Sequence, residues 1–197
     1  MITTKNELKK YLQADFIMNR GDCSFKKRLI SFITNDLVMK YLKVLRKLEY
    51  RINKKSKLAL LYQYKLKSIG QRIGITIAPN VLGYGVVIPH YGTIIVGEGN
   101  QIGNFCVLHT STCIGAGKKT IGDAFYLSAG AKVFKDINIA DNVSIGANSL
   151  VDKNINQPNS LYGGVPAKFI KESEPWYIRD GQQYLARVQY IRSLFGK

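Results

Sequence analysis

At 197 residues the chain has room for one domain with an appendage, or for two small ones. Its 46% apolar content is that of a globular protein, and no run approaches the ~20 apolar residues of a membrane-spanning helix. The formal net charge of +16 is unevenly placed: residues 1–72 hold 18 Lys+Arg against 5 Asp+Glu, while residues 73–197 hold 11 against 8.

The three cysteines, Cys23, Cys106 and Cys113, form no CxxC pair, which argues against a disulfide framework and a cysteine-based zinc site. The stretch Met1 to Glu7 lacks the apolar core of a secretory signal, so a reducing cytoplasm is the expected compartment. A basic segment of this size attracts an anionic membrane surface or another polyanion, and a solvated helical face carries equal weight. No nucleic-acid-binding motif accompanies the charge, and nucleic acid is not an expected partner.

In chain order, residues 1–72 form a basic helical segment. Leu8, Tyr11, Leu12 and Phe16 recur at helical spacing until Arg20-Gly21-Asp22 breaks the pattern. A second helical stretch covers Phe25 to Tyr50, with Leu29, Phe32, Ile33, Leu37, Tyr41, Leu45 and Leu48 as its apolar positions. A third covers Leu58 to Ile69, with Gly70 as its expected stop. These stripes need a partner surface, and capping the end of the following domain is the job expected of them.

From residue 73 the period changes to six. Val96, Ile102, Leu108 and Ile114 are followed, after one extra residue, by Ile121, Leu127, Val133, Ile139, Ile145 and Val151. An earlier run, Ile75, Val81 and Val87, is offset by an insertion containing His90. Six fits neither a helix nor an ordinary strand; it is the period of a hexapeptide β-helix, over residues 73–170. With about eighteen residues per three-sided coil, Val87 and Leu108 share a column. His90 and His109 are then expected near one edge, on coils about 4.8 Å apart. Ser128-Ala129 and Gly146-Ala147 continue that edge as a smooth wall on which a long, narrow ligand could lie; tight turns alone would also explain such small residues. Ala116-Gly117-Lys118-Lys119-Thr120 carries the extra residue and is expected to bulge near the same wall. Gln157 to Ser160 ends the repeats, and Gly163 to Lys168 forms a turn. Residues 171–197 form a C-terminal extension whose helix caps the far end or packs on a neighbouring chain.

The chain has two histidines, both in this region, so a catalytic three-histidine zinc site cannot be assembled and no metal is expected. An imidazole is suited to accept a proton from a hydroxyl near neutral pH. His90, in the insertion Ile88-Pro89-His90-Tyr91-Gly92, is the favoured candidate; His109 either supports it or lines a pocket.

Three segments, His90-Tyr91-Gly92-Thr93-Ile94-Ile95-Val96, the run from Ile121-Gly122-Asp123 to Lys132, and Gly164-Val165-Pro166-Ala167-Lys168, together with the repeats, resemble the serine acetyltransferase family. The similarity is closest to its short members, often found among enzymes of capsular and surface-polysaccharide synthesis, and it covers residues 70–170. It implies a mainly β fold, a left-handed parallel β-helix with helical segments at both ends, assembled as a homotrimer with acetyl-CoA as co-substrate between subunits. By the resemblance His90 matches the general base, and backbone N–H groups would stabilise the oxyanion. Ala129, Gly130 and Ala147 match wall positions along the pantetheine arm. Lys168 matches a basic position suited to the CoA phosphates, and Lys118 stands near a second active-site histidine of the family. Pro89 occupies a position that is acidic in the family, and Asp22 matches a serine-contacting acid only loosely. These departures favour a sugar or glycan hydroxyl as acceptor over serine, whose acetylation serves cysteine biosynthesis. A non-catalytic β-helical scaffold is the remaining alternative.

Overall fold

A computed structural model describes residues 1–196. Four helices come first: α1 (Lys5–Arg20), α2 (Phe25–Ile33), α3 (Leu37–Asn53) and α4 (Ala59–Ile73). Thr4 and Glu7 close a reciprocal capping box at the start of α1, which satisfies amide groups that a helix end leaves unpaired. The stretch Phe25 to Tyr50 is two helices rather than one. Thr34 ends α2, Asn35 turns with a φ of 53°, and the Asp36 carboxylate accepts from the Met39 N–H to start α3. Gly70 does not stop α4. It lies inside the helix, where a Cβ would collide with the Ile75 carbonyl, and the left-handed stop is Gly74, at a φ of 74°.

A parallel β-solenoid follows. One face stacks β1 (Ile75–Ile77), β2 (Ile94–Val96), β5 (Thr112–Ile114), β8 (Lys132–Val133) and β11 (Leu150–Val151). A second stacks β3 (Gln101–Ile102), β6 (Thr120–Ile121) and β9 (Asn138–Ile139). The third stacks β4 (Val107–Leu108), β7 (Tyr126–Leu127), β10 (Val143–Ile145) and β12 (Ser160–Gly163), and ends on the antiparallel β13 (Lys168–Glu172). We call these the first, second and third faces. The hexapeptide aliphatics form three internal columns, Val96–Ile114–Val133–Val151, Ile102–Ile121–Ile139 and Leu108–Leu127–Ile145, and all ten are buried. Strands β1 to β11 are two or three residues long because each corner needs a turn. Those turns repeat a left-handed residue at stacked positions, as at Phe105, Ala124, Asn142 and Asn159.

The earlier run is out of the expected register: Ile77 and Leu82, not Ile75 and Val81, pair with Val96 and Ile102. Val87 pairs with Val107, not Leu108, and faces outward; Val86 and Ile88 fill the interior instead. The coil also continues one strand further, since Tyr162 pairs with Ile145.

The helices close the first coil, as expected. Tyr41, Leu42, Leu45, Leu66 and Ile73 join the solenoid core, and the Tyr41 hydroxyl accepts from the Ile77 N–H at 2.8 Å. A buried ion trio fixes the junction. Arg46 pairs with Asp15 at 2.8 Å and Glu49 at 3.0 Å while donating to the Leu82 carbonyl, and Asp15 accepts from the Gly85 and Val86 amides. Removing Arg46 would leave the buried Asp15 and Glu49 carboxylates without their cation, at a cost of about 3–5 kcal/mol.

The C-terminal segment does not cap the far end of the solenoid. Helices α5 (Trp176–Arg179) and α6 (Gln182–Leu194) lie along the side of their own solenoid, against α1 and the outside of the third face. A second core forms there from Ile17, Met18, Tyr84, Val87, Phe105, Val107, Trp176, Val188 and Ile191. Trp176 is anchored by its indole N–H, which donates to the Phe105 carbonyl at 2.8 Å.

Candidate active site

The corner between the third and first faces carries most of the expected site. Its coils contribute, in stacked order, Pro89-His90-Tyr91-Gly92, His109-Thr110-Ser111, Ser128-Ala129-Gly130 and Gly146-Ala147-Asn148. The stacking is set by hydrogen bonds from the Gly130 amide to the Thr110 carbonyl, 3.1 Å, and from the Asn148 amide to the Ala129 carbonyl, 2.9 Å. Small residues are required here: a Cβ on Gly130 would run into the Asn148 side chain, and one on Gly92 into the Thr110 hydroxyl.

His90 is exposed, and its ring makes no hydrogen bond among the described residues. His109, one coil on, is half-buried, and its Nε2 lies 2.8 Å from the Tyr126 hydroxyl. Burial pushes the His109 pKa below the usual 6.5, the charge of His90 lowers it further, and Asp180 opposes them. The two imidazoles are therefore near enough to feel each other, and a charge on His109 is disfavoured. Tyr126 is held as a neutral phenol: burial raises its pKa, as does Asp180, against the Arg179 guanidinium stacked 4.9 Å from its ring. Arg179 also donates to the Ser144 hydroxyl at 3.1 Å and pairs with Asp180 at 2.9 Å. Tyr126, Arg179 and Asp180 were not anticipated. Tyr126 could have been found as the large outward side chain beside Leu127; Arg179 and Asp180 lie outside the repeat, where the period gives no position.

Ala129, Gly130 and Ala147 lie below the histidines on this corner, and Lys168 lies at its far end, exposed and paired in register with Gly163. Lys118 does not join them. It sits between β5 and β6, at the corner of the first and second faces, with its amide bonded to Asp136 at 2.7 Å. Asp22 sits in the α1–α2 turn, paired with Lys27 at 3.3 Å. Among the described residues no three His, Cys, Asp or Glu side chains cluster closely enough to hold a metal ion.

No protein-family model matches the chain. A serine acetyltransferase of Buchnera aphidicola (from Acyrthosiphon pisum) is 34% identical over 170 residues, covering 77% of this chain and 61% of that protein. The serine acetyltransferase of Mycobacterium tuberculosis is 34% identical over 110 residues, 52% of this chain and 48% of that one. A solved serine acetyltransferase in complex with CoA superposes with a TM-score of 0.69 at 21% identity, over 84% of this chain and 71% of its own, which shows a shared fold. The chain is a serine acetyltransferase-like hexapeptide-repeat protein. It spans about half to three-fifths of the length of these curated relatives.

The comparisons overturn the expectation of a sugar or glycan acceptor, because these relatives act as serine acetyltransferases by name, not as polysaccharide-modifying enzymes. The geometry shows part of the reason. The departure at Lys118 lies on a different corner from His90 within this chain, so that residue does not argue against serine at the His90 corner of the same chain.

Proposed function

We propose that the chain is an acetyl-CoA-dependent serine O-acetyltransferase. The observation that carries the reading is an exposed His90 beside a half-buried His109, at the head of a run of small residues, in a chain whose relatives are serine acetyltransferases. Acetyl-CoA, the partner form of the CoA in the solved neighbour, supplies the acetyl thioester. Ala129, Gly130 and Ala147 leave room for its thin arm, and Lys168 offers a cation for its phosphates.

His90 takes the proton of the serine hydroxyl while that oxygen attacks the thioester carbonyl. The carbon–sulfur bond breaks, and His90 returns the proton to the thiolate. For that interval His90 carries a positive charge, and a second imidazolium beside it would oppose this. Burial disfavours a charge on His109, which lessens that opposition.

We also infer a homotrimer, with the cleft between subunits completing the site. The outward column on the first face, Ile95, Cys113, Lys132 and Leu150, is a mixed apolar and basic strip that such contact could use. The test is thiol release from acetyl-CoA with and without L-serine, alongside light scattering of the same sample. Serine-dependent release by a trimer is expected. Release that ignores serine would remove the acceptor assignment, and a monomer with full activity would remove the shared cleft.

A further inference from the structure

The helical segment holds a feature that capping does not use. Helix α2 buries none of its residues. Phe25 is 80% exposed, Phe32 74% and Ile33 69%, with Leu29 and Ile30 also open to solvent. At about 100° per residue, Phe25, Leu29, Phe32 and Ile33 share roughly a third of the helix circumference. On the same projection Lys26 and Arg28 stand at the two edges of that stripe, while Lys27 points away and is tied back to the Arg20 carbonyl at 2.6 Å.

Next to this stripe, α1, α2 and α3 enclose a cleft of about 430 Å³. Its floor is apolar, with Leu12, Phe16, Met39 and Leu42, and Phe32 stands at its margin. Its rim carries Lys9, Arg28, Lys40 and Lys43. Among the described residues none of these four pairs with a carboxylate; the one acid in the cleft wall, Asp15, is taken by Arg46. The arrangement is an apolar surface ringed by cations that have no carboxylate partner, Lys40 donating only to the Asn35 side-chain carbonyl, on a segment of 18 basic against 5 acidic residues.

We propose that α2 and the α1–α3 cleft form a docking surface for an anionic lipid bilayer. Phe25, Leu29, Phe32 and Ile33 enter the interfacial layer, Lys26 and Arg28 meet headgroup phosphates at either side, and Lys9, Lys40 and Lys43 line the cleft behind them. Charge is what selects this occupant. A second copy of the chain would bring the same cations face to face, which opposes self-association, whereas an anionic leaflet answers both the apolar stripe and the positive rim. Two signals, apolar area and several basic side chains, together give a reversible attachment that either alone would not.

The test uses the full chain in co-sedimentation with phosphatidylcholine vesicles, with and without phosphatidylglycerol, at low and high salt. Binding is expected only with phosphatidylglycerol, and it weakens as salt rises. Phe25→Ser with Phe32→Ser should lower vesicle affinity by about tenfold or more. Arg28→Glu with Lys43→Glu should abolish the phosphatidylglycerol preference. All four positions lie on α2 or at the cleft rim, so circular dichroism and melting should match the unsubstituted chain. Equal partition onto both vesicle types, or none onto either, overturns the proposal. So does a change in particle size by light scattering in the Phe25→Ser/Phe32→Ser chain with no vesicle binding by its parent, which assigns the face to another copy of the protein.

Discussion

The repeat slips at two corners of the solenoid, and they resolve in opposite ways. At the corner of the third and first faces, the insertion Ile88 to Gly92 leaves the His90 ring in solvent with no intramolecular partner. At the corner of the first and second faces, the extra residue is absorbed by burying Lys119, 1% exposed, whose Nζ donates to the Gly115 and Ala116 carbonyls at 2.9 and 3.1 Å. Both slips interrupt one period, and both place a nitrogen-bearing side chain in the turn. The difference lies in what the nitrogen can reach. A lysine long enough to bend back satisfies carbonyls that the irregular turn leaves without a ladder partner, so it is consumed by structure. A histidine held outward by its loop reaches none, so it remains available for chemistry.

The strongest way to separate the corners is to remove each nitrogen and ask which property fails. His90→Ala should lower serine-dependent CoA release by about 10²–10⁴-fold, the range a positioned general base contributes. Its melting temperature should stay where it was, since the ring packs on nothing. Full turnover in that chain would return the first slip to mere structure. Lys119→Met keeps the length of the side chain and deletes its donors. It should cost about 1–3 kcal/mol in urea unfolding through the Ala116 carbonyl it leaves unpaired, the Gly115 carbonyl still accepting from Asn100 at 3.0 Å, with kcat/KM little changed. If turnover collapsed at unchanged stability instead, the second corner would belong to the active site.

This contrast also marks where sequence reasoning reaches and where it stops. The columns of the interior were legible because each side chain there has one option, inward burial at a fixed interval; the ten buried aliphatics fall where the period of six puts them. The neighbourhood of His90 and His109 was legible for the same reason, since stacked coils convert spacing into position. Outward positions carry no such constraint. Val87 turned out, with Val86 and Ile88 turned in, because the coil is already one residue out of the expected register at Leu82 and α1 with α5 offers a second apolar surface on the outside. The period could not show that surface, as it is built from helices that obey another rhythm. Tyr126, Arg179 and Asp180 were missed on the same ground. Lys118 was misplaced because the bulge was assigned to a wall by its irregularity, without counting which corner it occupies. Phe32 and Ile33 kept a helical pattern without a partner, and periodicity alone does not say whether an apolar stripe is covered.

The corner holding the histidines can be probed more finely through Tyr126. Tyr126→Phe keeps the ring under Arg179 and deletes only the hydroxyl facing His109. The lost hydrogen bond is worth about 1 kcal/mol, so kcat/KM should fall roughly fivefold. Because the hydroxyl acts through His109 rather than on the substrate, the acidic limb of the pH–rate profile should shift, a change that a purely structural role for Tyr126 would not produce.

The smallest effect belongs to the titration of His109 itself. Its folded pKa lies below the unfolded 6.5, because burial and the His90 charge disfavour the imidazolium by more than Asp180 favours it. The unfolded chain therefore binds more protons than the folded one between the two values, and stability rises with pH across that window. The contribution is complete above about pH 6.5 and disappears as pH falls through the lower folded value. Melting of the unsubstituted chain and of His109→Gln, followed across that interval, should converge at its acidic end. The glutamine has no proton to gain, so its curve lacks this component while every other titrating group is shared. Parallel curves would mean that His109 is as free to charge as in the unfolded chain, and the bias against its charge beside His90 would have to be withdrawn.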